Sequence, residues 1–199
     1  GEMSGHIFFN DIWHGFDDGH YSAIRLLDIM NETGSSLDDL LDSLPVSYST
    51  PELNIDVPDP IAPVGNYVPY KIINGFIYIS GQVPVVGSIT SGNIITGRVP
   101  SEVSVSEAKE AAKICIINTM SLLIEATDNT DYDKIGCISV SGFVNSDKEL
   151  IEHPEIINGA SDLLYKIFGE HGKHTRIAVG SSSLPKNAAV EISSIFYIK

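Results

Sequence analysis

The stretch from His174 to Ile198, H-T-R-I-A-V-G-S-S-S-L-P-K-N-A-A-V-E-I-S-S-I-F-Y-I, constrains the fold more than any other part of the chain. Two runs rich in β-branched and aromatic residues flank Pro185-Lys186-Asn187, a composition that predicts two strands joined as a hairpin. Side chains alternate along a strand, so Arg176, Ala178, Gly180 and Ser182 share one face and Ile177, Val179 and Ser181 the other. In the second run Val190, Ile192 and Phe196 form an apolar face, and Glu191 points away from it. An arginine and a glutamate in runs otherwise nearly free of charge are costly to bury without partners. Two accounts fit them: an ion pair across the strands, or two groups held for a ligand.

Upstream, Val68 to Ser80 reads V-P-Y-K-I-I-N-G-F-I-Y-I-S, a hairpin about Asn74-Gly75, the dipeptide that suits a type I′ turn. Ser80-Gly81-Gln82 ends its second strand, where a glycine admits close approach of a ligand or a neighbour. Ile89 to Thr96 predicts a further short hairpin around Ser91-Gly92-Asn93. Ser104 and Glu107 make a capping box. The helix it opens lines up Ala108, Ala111, Ala112, Cys115, Leu122, Leu123 and Ala126 on one face. Ile135 to Val144 is a strand ending at Asn145. Pro154 then opens a second helix, with Ala160, Leu163, Leu164, Ile167 and Phe168 inward and Gly169 as its stop. His171 and His174 follow in a loop and read as turn residues. The order β-β-β-α-β-α-β-β predicts an α+β domain of two layers, a mixed sheet with two helices on one face.

Four of these segments carry a family resemblance. The pattern R-x-x-V-x-x-x-x-L-P-x-x-A-x-V-E-I from Arg176 to Ile192 is joined by N-Y-V-P-Y at Asn66–Tyr70, I-S-G-Q-V-P at Ile79–Pro84 and N-G-A-S-D-L-L at Asn158–Leu164. Together, and in this order, they resemble the Rid (YjgF-type) family of reactive-intermediate deaminases over roughly residues 60–199. The resemblance implies a chorismate mutase-like fold and a homotrimer with sites between subunits. It also implies hydrolysis of 2-imino or enamine acids, such as 2-iminobutanoate and 2-iminopropanoate, to 2-keto acids and ammonia, with no cofactor. It casts Arg176 as the fork that binds the substrate carboxylate, a task its planar guanidinium suits. Glu191 would orient or deprotonate the attacking water, and Tyr67, Ser80, Gly81 and Asn158 would wall the cleft. Ala178 departs from the pattern, since many members carry a cysteine beside the arginine. On the residues alone, Tyr67 and Ser80 also read as strand ends and Asn158 as polarity near a helix start.

Charge marks off a different first part. Residues 1–59 hold 12 acidic residues and 1 basic one, net −11, while the remainder nets −3. Helical spacing at Ile24, Leu27 and Met30 is followed by a short amphipathic turn at Leu37, Leu40, Leu41 and Leu44, ended by Pro45. The opening G-E-M-S-G-H and this pattern resemble the end of the third domain of bacterial phosphomannomutase/phosphoglucomutases. That resemblance implies sugar-hydroxyl contacts by Glu2, Ser4 and His6, whose carboxylate, imidazole and hydroxyl offer donors and acceptors on one loop. That family's phosphoserine, metal and phosphate-binding loops have no counterpart in this sequence. Residues 1–56 therefore read as an incomplete phosphohexomutase-like segment, 57–63 as a linker, and 64–199 as the Rid-like domain.

Several classes are excluded. No apolar run approaches the ~18 residues a membrane helix requires. A net charge of −14 and a pI near 4.6 oppose nucleic-acid binding, which depends on clustered Lys and Arg. His6, His14 and His20 match no common metal spacing. Cys115 and Cys137 fall in apolar patterns, pack as small hydrophobes, and fit a reducing cytoplasm. Three functions remain in contention: the deaminase, a non-catalytic metabolite-binding protein on the same fold, and a sugar-phosphate mutase supported by the first segment alone.

Overall fold

The structure, a computed structural model, describes residues 7–9, 14, 17–42, 55–60, 62–63, 65–87, 93–128 and 132–199. Glu2, Ser4 and His6 lie outside the described residues. Cα packing divides the chain into two units, Gly1–Glu52 and Leu53–Lys199.

In the first unit, helix α1 spans Gly19–Thr33 and α2 spans Leu37–Asp42. The Asp18 carboxylate caps α1 by accepting from the backbone N–H groups of His20 and Tyr21, at 2.9 and 3.0 Å. Gly34 ends it with a left-handed φ of 66°. Neither helix buries a residue, and Ile24 and Leu27 are exposed.

The second unit opens with β1 (Tyr70–Ile73) and β2 (Phe76–Gln82), paired antiparallel through Asn74 and Gly75 at φ 52° and 80°, as a type I′ turn requires. Strands β3 (Val85–Val86) and β4 (Asn93–Ile94) form a small sheet of their own, so Asn93 belongs to a strand rather than to a turn. Ile89, Ser91 and Gly92 lie outside the described residues. Helix α3 (Val105–Thr127) starts at a complete capping box: Ser104 Oγ accepts from Glu107 N at 3.2 Å, and the Glu107 carboxylate accepts from Ser104 N at 2.9 Å. Then come β5 (Ile135–Asn145), α4 (His153–Phe168), β6 (Thr175–Ser181) and β7 (Val190–Ile198).

The main sheet runs β1-β2-β7-β5-β6, and α3 and α4 cover one of its faces. Ile77, Val140, Ile192 and Phe196 of the sheet meet Ala111, Cys115, Ile116, Ile157 and Leu164 of the helices in a fully buried core. Cys115 and Cys137 are both buried and free of disulfides.

One expected connection is overturned. Strands β6 and β7 do not form a hairpin, because β5 lies between them, parallel to β6 and antiparallel to β7. The Pro185-Lys186-Asn187 turn, with Lys186 and Asn187 at left-handed φ of 55° and 56°, belongs to a connection that crosses the end of β5. β5 takes the interior place between β7 and β6 because it is long, 11 residues, and mostly buried along its length, as a strand flanked on both sides must be.

Register then decides which side chains share a face. Arg176 sits opposite Val140, and Val140 opposite Ser194, all on the helix-covered face. Val179, Phe143 and Glu191 form a row on the other face. That open face carries Ile177, Tyr78, Phe76 and Val179 at 57, 43, 42 and 41% exposure. Among the described residues no helix is long and apolar enough to cross a membrane.

Candidate active site

Arg176 stands on the edge strand β6 and leans onto α4. Its Nη1 donates to Asn158 Oδ1 at 2.7 Å and to Ser161 Oγ at 3.1 Å. The two acceptors are three residues apart on one helix, and so occupy the same face. Among the described residues Nη1 alone is engaged, which leaves the Nη2 and Nε edge to fork a carboxylate. With Tyr165, Lys173 and His174, the guanidinium borders an open cavity of about 280 Å³.

Glu191 borders a second cavity, of about 260 Å³, together with Tyr67, Gly81, Gln82 and Lys186. A β-bulge between Ile79 and Gln82 turns Gly81 toward the carboxylate, which lies so close that a Cβ at Gly81 would collide with Glu191 Oε1. Burial pushes the Glu191 carboxyl above the usual carboxylate range. Tyr67 presents a half-exposed ring to the cavity. Ser80 does a different job: its Oγ donates to the Val68 carbonyl at 2.8 Å, tying the segment before β1 to the bulge.

The structure therefore brings Tyr67, Gly81 and Glu191 together at one cavity, and pairs Asn158 with Arg176, which borders another. It does not join the two groups. Arg176 and Glu191 lie on opposite faces of the sheet with β5 between their strands, so the cross-strand ion pair considered above does not form. Among the described residues no cluster of three metal-ligating side chains occurs, and His14 and His20 are exposed.

Residues 51–197 match the family described as "YjgF/chorismate mutase-like, putative endoribonuclease". The chain belongs to the YjgF family. A curated YjgF-region relative is the protein TCP17 of Trypanosoma cruzi, 34% identical over 151 residues, covering 75% of this chain and 92% of TCP17. Among solved structures, the protein Atu1372 of Agrobacterium tumefaciens is 42% identical and superposes with a TM-score of 0.63, over 69% of this chain and 86% of Atu1372. Residues 1–48 match domain III of phosphoglucomutase/phosphomannomutase. There the phosphomannomutase/phosphoglucomutase of Pseudomonas putida is 58% identical over 59 residues, and the match spans 30% of this chain but 13% of that enzyme.

Two residues at the Arg176 cavity, Ser161 and His174, escaped the sequence reading, although a signal for each was present. Ser161 follows Asn158 by three on a helix, and His174 precedes Arg176 by two along an extended run, so each shares its partner's side.

Proposed function

We propose that residues 64–199 catalyse the cofactor-independent hydrolysis of 2-imino and enamine acids to 2-keto acids and ammonia. The observation that carries this reading is a pair of half-sites. One is an arginine with a free bidentate edge, and the other is a half-buried carboxylate whose affinity for a proton is raised. Arg176 holds the substrate carboxylate. Glu191 takes a proton from water as the water oxygen adds to the electrophilic imine carbon. The substrate reacts as the iminium, an enamine having first taken a solvent proton at its β-carbon, so loss of one water proton to Glu191 leaves a neutral carbinolamine. Glu191 returns that proton to the amine nitrogen, the carbon–nitrogen bond breaks as the hydroxyl oxygen becomes the carbonyl, and the hydroxyl proton leaves with ammonia as ammonium.

One chain cannot bring both groups to one substrate, since they lie on opposite faces of its sheet. A homotrimer in which the Arg176 edge of one subunit meets the Glu191 cavity of the next supplies the missing half. The exposed apolar face bearing Ile177, Tyr78, Phe76 and Val179 supports such an assembly. The two free, buried cysteines fit a cytoplasmic setting.

The family description also suggests RNA cleavage. A chain of net charge −14 is poorly suited to a polyanion, and at the Arg176 cavity Lys173 is already paired with Glu170 at 2.7 Å, so this reading ranks lower. Phosphoryl transfer is not proposed, because the matched segment spans 13% of the mutase.

The deciding test supplies freshly generated 2-aminoacrylate or 2-iminobutanoate and follows 2-keto acid release. Release well above the spontaneous rate supports the enzyme. Release at the spontaneous rate, with keto acid binding retained, would instead favour a metabolite-binding protein on the same fold.

A further inference from the structure

The Arg176 half-site contains a directed chain of hydrogen bonds that the proposed reaction has not used. His174 Nδ1 lies 2.6 Å from the Gly172 carbonyl oxygen. A carbonyl oxygen only accepts, so Nδ1 carries a proton, and in the neutral form of the ring Nε2 keeps a lone pair. That Nε2 lies 3.1 Å from Ser161 Oγ, so the serine hydroxyl donates to it. With its hydrogen directed to His174, Ser161 Oγ turns a lone pair toward Arg176 Nη1, which donates to it at 3.1 Å.

Both ends of this chain are anchored. Gly172 is buried against the α4 backbone at Leu164 and Tyr165, which fixes where its carbonyl points. On the far side, Asn158 Nδ2 donates to Glu155 Oε2 at 3.3 Å, and Glu155 Oε1 pairs with Lys109 Nζ at 2.7 Å. That orients the Asn158 amide with its oxygen toward Arg176. Nη1 therefore meets two acceptors whose polarity is set in advance, and two acceptors on one nitrogen fix the guanidinium plane.

We propose that Ser161 and His174 are positioning residues for Arg176: the Gly172–His174–Ser161 chain holds the guanidinium so that its Nη2 and Nε edge faces the cavity ready for a substrate carboxylate. This rests on Arg176 being the carboxylate fork. Neither residue touches the reacting carbon. Their effect is on carboxylate affinity, since a guanidinium that must be ordered on binding binds less tightly.

The test compares Ser161→Ala, His174→Leu and His174→Gln with wild type. It measures imino acid kinetics, calorimetric binding of the product 2-oxobutanoate, and thermal melting. Ser161→Ala and His174→Leu should each raise KM and the 2-oxobutanoate Kd by about fivefold, the effect of one lost hydrogen bond, with kcat within about twofold. His174→Gln keeps an acceptor for Ser161 and should recover most of the affinity. Equal losses in His174→Leu and His174→Gln, or an unchanged KM in Ser161→Ala, overturn the proposal. A further measurement needs no variant: nitrogen chemical shifts of labelled wild-type protein should show neutral His174 protonated at Nδ1, and an Nε2–H ring overturns it as well. If 2-oxobutanoate binds and Arg176→Ala abolishes binding while Ser161→Ala does not weaken it, this inference alone fails. If wild type neither binds 2-oxobutanoate nor hydrolyses the imino acid, the carboxylate-fork reading falls and this proposal with it.

Discussion

At Glu191 folding draws a carboxylate partly out of water, and the consequence can be followed with pH. Its proton affinity is raised in the folded chain by burial, relative to the unfolded chain. Such a group contributes stability that is fully present below its unfolded pKa and is lost as pH rises through the higher folded value. Glu191→Gln is neutral at every pH, so it should melt above wild type at neutral pH, with the gap closing on acidification. A gap independent of pH, or none, would mean that the carboxylate is fully solvated. As the proposed base, Glu191 should also give kcat/KM a rise with pH whose midpoint lies above the usual carboxylate range. Gly81 tests the same site from the other side. A methyl group there displaces the far end of the Glu191 side chain, which can swing away at little cost to the fold. Gly81→Ala should therefore melt near wild type while hydrolysis falls by about tenfold or more, because a misplaced base costs rate. A large loss of stability with unchanged kcat would refute that arrangement. The sequence marked Gly81 as a point of close approach, and only the fold could show that Glu191 is what approaches it.

The elements themselves were largely legible, for reasons that differ from one to the next. The Asn74-Gly75 turn, the Ser104–Glu107 capping box and the Gly169 stop are local chemistry, written in a few adjacent residues, and each appears where expected. The link from β6 to β7 was not legible. Two β-rich runs and a turn look the same whether the strands pair directly or a third strand enters between them, and nothing within Thr175–Ile198 reports on β5. That distinction decides the site, because a hairpin would have put Arg176 and Glu191 on neighbouring strands. Helix packing offers its own test at Gly159, where a Cβ would run into the Lys109 carbonyl of α3. Helix propensity alone favours alanine over glycine by about 1 kcal/mol. A collision with backbone cannot be relieved by a rotamer change, however, so α3 and α4 must separate. Gly159→Ala should be destabilised by about 1–2 kcal/mol net, lowering Tm by roughly 2–8 °C in a circular dichroism melt. Because Asn158 and Ser161 ride on α4, carboxylate binding should weaken with it. A more stable Gly159→Ala would show that propensity, not packing, governs this contact.

At the scale of the whole molecule, the separation of the two half-sites becomes a statement about symmetry. If each site takes Arg176 from one subunit and Glu191 from the next, a closed ring of three copies holds three complete sites. Light scattering should then give about three times the 21.5 kDa chain mass. Mass alone does not show that sites are shared, but two inactive variants together do. Arg176→Ala trimers lack every carboxylate fork, and Glu191→Gln trimers lack every base, so each preparation should be inactive. When the two chains are co-expressed in equal amounts with different tags, a site is intact only if its arginine comes from a Glu191→Gln chain and its glutamate from an Arg176→Ala chain. Random assembly makes each condition true half the time, so about a quarter of the sites should be restored, with a matching share of wild-type hydrolysis. Doubly tagged trimers, purified through both tags, should carry all of it. If one chain supplied both groups, every chain in the mixture would lack one of them, and the mixture would be as inactive as its parents. Mixed trimers with no recovered activity would therefore refute the shared site even with the trimer intact. A monomeric wild type would remove the assembly and the site together.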